Sequence, residues 1–381
     1  MEKKMTTEML EKALQDALLK IDKLWEDVHG NFPTHNSTDN VYGEVGNPPE
    51  GGGGWNQGFW TGILWLAYEA TGDEKYRERA LSHIPSFYER IDKKLGVNHH
   101  DMGFLYVPSC VAAYKLCGNE QAKEAAIKAA DHLLTRYIEA GGYIQAWGDV
   151  GGIQKRLIID CMNNIPLLYW AAEVTGDRAY YDKALRHAEV TLKHIIREDG
   201  STYHTFFFHA DGTPDKGVTA QGASDDSAWA RGQAWIVSGL PLTYKYVRDD
   251  NMIAIFEKVA NYFINHLPED FVPYWDLSFK DSDNEEKDSS AAAIAVCGFL
   301  EMLPHIKNEQ LKAVYEGVVD KMMYSLYQNY STKDSPESNG LLLHAVYNRP
   351  ENFGVDECNI WGCYYYMEAL VRMLKGVKGY W

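Results

Sequence analysis

A degenerate helical repeat limits what this chain can fold into more tightly than any other feature, and repeats decide architecture before local detail does. The clearest copies are Thr61 to Ala80 (TGILWLAYEATGDEKYRERA) and Pro166 to Ala184 (PLLYWAAEVTGDRAYYDKA). In each, an apolar, small-residue helix runs into Thr-Gly-Asp and an amphipathic helix follows. Gly72 and Gly176 suit the left-handed residue that ends a helix, and Asp73 and Asp177 suit the N-cap of the next one. Weaker copies run from Val107 to Leu134, turning at Cys117-Gly118-Asn119, from Gln233 to Leu267, turning at Arg248-Asp249-Asp250, and from Ala291 to Leu326, turning near Pro304 to Asn308.

A sixth apolar helix, Ile360 to Leu374, has no partner after it. The missing partner stands at the other end: Thr7 to Val28 carries Leu10, Leu14, Ala17, Leu18, Ile21, Leu24 and Trp25 on one face. Six inner and six outer helices, with the first outer helix closing against the last inner one, predict an all-α (α/α)6 toroid. It forms a single catalytic domain over residues 1–381, with short strands confined to long connections such as Ser201 to His209 and Gly340 to Tyr347.

In such a ring the loops entering the inner helices meet at one mouth, and here they are the unusual parts of the chain. They are Gly51-Gly-Gly-Gly-Trp55-Asn-Gln, Asn98-His-His-Asp101-Met-Gly-Phe104, Gln154 to Asn164, Gln221 to Trp235, and His344 to Trp361. Function is expected there, at helix N-termini whose dipoles also suit an anion.

Composition narrows the chemistry. A formal charge of −17 without a basic run argues against nucleic acid, whose phosphates are bound by clustered Lys and Arg. No apolar run is long enough to cross a bilayer, and the N-terminal Met-Glu-Lys-Lys-Met-Thr-Thr-Glu enters an amphipathic helix and not a signal core, so a cytoplasmic protein without membrane contact is expected. The six scattered Cys fit reduced thiols. Metal-binding and nucleotide-binding motifs are absent, so no metal or cofactor is expected. His99 and His100 are adjacent and would point apart on a regular element. The 25 Tyr and 11 Trp supply flat rings that serve carbohydrate grooves as well as cores.

Two acids stand out. Asp160 lies between the apolar runs of Arg-Leu-Ile-Ile-Asp-Cys-Met-Asn-Asn-Ile, and Asp101 precedes Met102 to Cys117. Each could be a helix N-cap or a site residue, and the two roles differ in protonation: a charged cap has a depressed pKa, a proton donor a raised one. Two acids from different mouth loops among aromatic residues point to acid–base work on a carbohydrate. In the third segment, Gln221 to Trp235, Arg231 needs a partner if buried, while Trp235 fits core and site alike.

The segments His100-Asp101-Met-Gly-Phe, Ile159-Asp160-Cys-Met-Asn-Asn, Asp226-Ser-Ala-Trp-Ala-Arg-Gly-Gln-Ala-Trp235 and Val355-Asp-Glu-Cys-Asn-Ile-Trp-Gly-Cys-Tyr-Tyr-Tyr366 together resemble the unsaturated glucuronyl hydrolases, glycoside hydrolase family 88. The likeness runs from Trp55 through Tyr366. Trp-Ala-Arg-Gly is shared with the unsaturated rhamnogalacturonyl hydrolases of family 105, which stay open as an alternative beside a sugar epimerase and a non-catalytic carbohydrate-binding protein.

The resemblance implies action on the 4,5-unsaturated uronic acid at the non-reducing end of lyase-generated oligosaccharides, by hydration of the vinyl ether and opening of the resulting hemiketal. It implies that Asp160 is the general acid and then the base for water, and that Asp101 positions it and the substrate hydroxyls. Trp55, His204, Gln221, Arg231 and Trp235 would line the first sugar subsite, with His100, Trp229 and Tyr347 beside them. Arg231 would steady the pocket or the uronate carboxylate, or else form a structural pair with Asp225, Asp226 or Glu357. Family members favouring sulfated fragments resemble a Ser-x-x-Ser-x-Lys pattern after Leu-Leu-His-x-Val-Tyr. This chain has Asn348-Arg349-Pro350-Glu351-Asn352-Phe353 there, which leaves Arg349 as a substitute and favours less-sulfated or unsulfated substrates. The expected partner is the oligosaccharide alone, bound by a monomer or homodimer.

Overall fold

The computed structural model describes residues 4–49 and 54–381. Gly51 to Gly53, the start of the first mouth loop named above, lie outside the described residues.

Within the described residues the inner helices are Gln57–Thr71, Met102–Tyr106 continued through Val107–Val111 into Ala112–Cys117, Cys161–Asn164 with Pro166–Thr175, Ala230–Val247, Ser289–Met302 and Ile360–Lys375. The outer ones are Thr7–Asp27, Glu74–Ser82 with Ile84–Asp92, Glu120–Leu134, Arg178–Ile195, Asn251–Asn265 and Glu309–Ser325. Each inner helix packs on the next, Ile360–Lys375 closes onto Gln57–Thr71, and Thr7–Asp27 covers Ile360–Lys375 as the repeat predicts.

The hairpin turns follow from the residues that make them. Gly72 and Gly176 end their helices at φ 69° and 75°, and the Asp73 and Asp177 carboxylates accept hydrogen bonds from the Lys75 and Ala179 backbone N–H at 3.0 and 2.9 Å. Asn119 and Asn308 cap Glu120–Leu134 and Glu309–Ser325 in the same way. In the fourth hairpin Arg248 takes the left-handed position at φ 58°, where most hairpins use glycine. Two inner helices are broken at Pro108 and Pro166, since a prolyl ring has no N–H to continue the ladder.

Inner helices are buried on nearly all sides: in Ser289–Met302 only Leu300 and Glu301 are partly exposed. Aromatic rings fill the ring axis, with Phe104 in contact with Trp55, Trp235 and Trp381 at centroid distances of 5.5, 5.0 and 6.2 Å. This column is the floor beneath the mouth.

The strands are short and lie in the long connections. Arg156–Ile158, Thr205–Phe208 and Pro214–Val218 form an antiparallel sheet with Thr205–Phe208 in the middle, pairing Arg156 with Phe207 and Ile158 with Thr205. Ala345–Asn348 pairs with Phe353–Glu357. Both predicted strand regions are therefore present, and both edge the mouth.

One close approach sets the spacing of the site. A Cβ on Gly103 would lie 2.3 Å from the Cα of Asn164, so the helix after Asp101 and the helix after Asp160 touch backbone to backbone. Alanine would gain about 1 kcal/mol of helix propensity, but overpacking against backbone costs typically about 1–3 kcal/mol. Gly103→Ala is expected to lower the urea midpoint and to lower kcat disproportionately by shifting Asp101 from Asp160. Unchanged stability and kcat would contradict that packing.

Candidate active site

Asp160 ends the segment that begins with strand Arg156–Ile158 and stands just before Cys161–Asn164; Asp101 stands just before Met102–Tyr106. Both occupy the backbone position of an N-cap, yet neither side chain accepts a hydrogen bond from its helix. The cap reading thus fails for the side chains, which turn toward each other.

His100 lies between them, its Nε2 3.3 Å from Asp101 Oδ1 and 3.3 Å from Asp160 Oδ1. The expectation that His99 and His100 point apart is overturned, because the chain bends here. His99 places Nδ1 3.0 Å from Asp101 Oδ2, holds the Gly96 carbonyl through Nε2 at 3.0 Å and stacks on Trp147 at 4.7 Å between centroids. Asn164 Nδ2 donates to Asp101 Oδ1 at 3.4 Å, while its Oδ1 accepts from the Phe104 N–H at 2.9 Å.

The two acids are unlike. The Asp101 side chain is 3% exposed and that of Asp160 19%. Burial, the strongest influence, and the adjacent Asp101 charge raise the Asp160 carboxyl above its ordinary range against the pull of His100 and Arg231. Burial also acts upward on Asp101, but His100, His99 and the Asn164 hydrogen bond together outweigh it and hold Asp101 below that range. For His100, burial favours the neutral ring, and the two carboxylates overcome it and raise its pKa. The two acids are thereby shifted in opposite directions, an arrangement suited to proton donation by the raised one. The ligand-type atoms of His100, Asp101 and Asp160 lie within 4.8 Å of one another, a set that could also hold a cation, but a protonated His100 competes with one for the same carboxylates.

Above them is a cavity of about 210 Å³. Of the residues predicted from sequence, Trp55, Asp101, Asp160, His204, Gln221, Trp229, Arg231, Trp235 and Tyr347 line it, and His100 supports it from behind. His204 accepts the Ala220 and Gln221 backbone N–H groups at Nδ1, at 3.0 and 3.2 Å, and packs tilted by 39° against Trp229 with ring centroids 4.3 Å apart. Burial, then Arg231 and Arg156, push its pKa down to about 3, so it is neutral, with its proton on Nε2 to donate. Trp55 donates its indole N–H to the Tyr347 hydroxyl at 2.9 Å.

Arg231 differs from expectation. Its partner is Asp288, at 3.1 Å, and not Asp225, Asp226 or Glu357. Nη1 also donates to the Val346 carbonyl, and Nη2 donates to Gln221 Oε1 and the Tyr347 carbonyl, both at 2.7 Å. With both terminal nitrogens occupied, Arg231 holds Gln221 and the strand at Ala345–Asn348 in place and has no free fork for a carboxylate.

Arg349 does not line the cavity: its Nε pairs with Glu286 Oε2 at 2.8 Å, so its role as a substitute sulfate contact is not supported. Sequence reasoning missed Trp147, Arg156, Ile158 and Thr205, which do line it. The Asn pair of Asp-Cys-Met-Asn-Asn was the available signal for Asn164; Trp147 and Arg156 carried none.

With this geometry in hand, comparison with known proteins is decisive. The Glycosyl Hydrolase Family 88 profile matches residues 22–377. The chain belongs to that family. The unsaturated chondroitin disaccharide hydrolase of Streptococcus pneumoniae is 47% identical over 375 residues, covering 98% of this chain and 92% of the relative. The crystal structure of the unsaturated glucuronyl hydrolase of Streptococcus agalactiae superposes with a TM-score of 0.95 at 44% identity, covering 99% of this chain and 95% of the other. A mutant of that protein complexed with dGlcA-GalNAc6S superposes at 0.89 and 42% identity, covering 99% and 94%. Family membership and the toroid both agree with the sequence expectation.

The opposite pKa shifts set the pH dependence. A proton-donating Asp160 would have to be protonated beside an ionised Asp101. Activity is therefore lost as pH rises through the raised pKa of Asp160 and as pH falls through the lowered pKa of Asp101, which gives a bell. Asp101→Asn removes the charge that raises Asp160, so the alkaline limb of kcat/KM should move to lower pH. An alkaline limb that stays in place would show that the two acids do not communicate.

Proposed function

We propose that this chain removes the 4,5-unsaturated uronic acid from the non-reducing end of lyase-generated glycosaminoglycan-type disaccharides, with Asp160 as proton donor. It is a glycosidase of the unsaturated glucuronyl hydrolase type. The observation that carries the assignment of Asp160 is its place across His100 from the more deeply buried Asp101, at the base of an aromatic-walled cavity.

The steps follow from that arrangement. Asp160 gives its proton to C4 as the C4=C5 electron pair moves to form the new C–H bond, and the ring oxygen shares the positive charge left at C5. The Asp160 carboxylate then takes a proton from water as the water oxygen bonds to C5. The C5 hemiketal opens to a ketone, the ring oxygen becomes a hydroxyl on C1, and this C1 hemiacetal collapses to an aldehyde with release of the leaving sugar. One water is consumed and the glycosidic carbon is never attacked, so the carboxylate-spacing rule for retaining and inverting glycosidases does not apply. Asp160 thus regains from water the proton it gave, with His100 and Asp101 holding it in place, while Trp55, Trp229, Trp235 and Tyr347 wall the cavity.

The bound dGlcA-GalNAc6S of the Streptococcus agalactiae mutant supports a uronyl-hexosamine substrate for this chain. The six unpaired thiols fit a cytoplasmic setting; among the described residues no helix is long and apolar enough to cross a membrane.

The test is the ultraviolet absorbance of the conjugated C4=C5 acid, followed separately with unsaturated chondroitin and unsaturated rhamnogalacturonan disaccharides. Loss is expected with the first. Asp160→Asn should slow it by on the order of 10²- to 10⁴-fold, the usual contribution of a general acid. Wild-type rates in that variant would end the mechanism, and preference for the rhamnogalacturonan fragment would reassign the substrate.

A further inference from the structure

Arg156 is the one cation lining the cavity whose guanidinium is uncommitted. Among the described residues it makes no side-chain hydrogen bond or ion pair: its Nε is buried without a partner, and its only recorded side-chain contact of this kind is the face of Phe207, 5.7 Å from the guanidinium carbon to the ring centroid. Arg231, the other cation there, is spent on Asp288, Gln221 and two carbonyls. A partly buried arginine with no acid paired to it is expensive unless a ligand brings the anion.

The strand geometry says which part of the substrate meets it. Arg156 and Ile158 alternate onto the same face of the sheet, and Ile158 pairs with Thr205, which also lines the cavity. Arg156 stands one pleat beyond Ile158, about 7 Å farther along the strand from the Asp160 end. Like Ile158 and Asp160 it is half-buried, and it lines the same cavity. A unit whose C4 reaches Asp160 fills the cavity and directs its C1 outward, and the leaving sugar then lies toward the rim that Arg156 occupies.

We propose that Arg156 is a specificity residue that binds a sulfate ester on the leaving sugar. This rests on the reading of the pocket as an unsaturated uronyl site. A uronyl-hexosamine disaccharide carries two kinds of anion, the uronate carboxylate present in every substrate and a sulfate ester present in some. A planar guanidinium suits the oxygens of either. The place of Arg156 on the strand, beyond Ile158 from the Asp160 end, favours the ester. It also reverses the expectation drawn from residues 348–353: the chain lacks the Ser-x-x-Ser-x-Lys pattern and Arg349 is tied to Glu286, yet a cation remains on the opposite wall.

The experiment compares wild type, Arg156→Met, which keeps an apolar stem against Phe207, and Arg156→Lys, on unsulfated and monosulfated unsaturated chondroitin disaccharides. The readout is the ratio of kcat/KM for sulfated over unsulfated substrate. In Arg156→Met this ratio should fall on the order of ten-fold, the scale of one charge-assisted hydrogen bond, and chiefly through KM. Arg156→Lys should retain part of it, and added salt should narrow the wild-type ratio. A ratio within about twofold of wild type in Arg156→Met overturns the proposal; equal losses on both substrates would assign Arg156 to the uronate carboxylate or to the fold. Absence of turnover of every unsaturated disaccharide by wild type would instead overturn the underlying site reading, so the two failures are distinct.

Discussion

Two carboxyl groups within 4.8 Å of each other at the base of one cavity are driven to opposite protonation states, and the imidazole of His100 lies between them. Much of the local structure serves that condition. Asn164 and His99 hold Asp101 on its ionised side, and the Gly103 contact with Asn164 fixes how near the second acid can come. Hydrogen bonds and neighbouring charge stabilise Asp101 as a carboxylate, whereas Asp160 has an Oδ1 without a hydrogen-bond partner and remains on the protonated side. The difference between donor and anchor thus comes from what surrounds each Asp.

A second buried charge organises the opposite wall. Arg231 and Asp288 are 2% and 1% exposed, and Asp288 also accepts from the Ser290 N–H at the start of an inner helix. The guanidinium then reaches the carbonyls of Val346 and Tyr347 and the amide of Gln221, tying three mouth loops to one point. Breaking one side of such a pair typically costs about 3–5 kcal/mol, because the partner is left charged and unpaired. The family segment Trp-Ala-Arg-Gly therefore has a structural reason to keep Arg here in addition to any contact with sugar.

The ring was legible because its signals are local: Gly72, Asp73, Gly176 and Asp177 each act within one turn of chain. Asp101 and Asp160 were legible as a pair only through resemblance, since a cap and an acid look alike until the side chain's partner is seen. Other features depend on distance in space. Asp288 lies 57 residues from Arg231, and Glu286 lies 63 from Arg349, so neither pairing has a sequence period. His99 and His100 converge because the backbone bends before Met102, and a rule drawn from regular elements had to fail there. Arg156 sits on a strand of three residues, too short for alternation to mark its face.

The overall charge of −17 gives the remaining question its form. An anionic substrate approaches such a protein against the general field, so attraction has to come from nearby cations. At depth, His100 is balanced by Asp101 and Arg231 by Asp288, so neither brings much net positive potential to the cavity. Arg156 has no such balance, which makes it the one uncompensated positive charge among the described residues lining the cavity. Chemistry and recognition are thereby separated along the pocket: protons are handled where charges are paired, and anions are sorted where one is not.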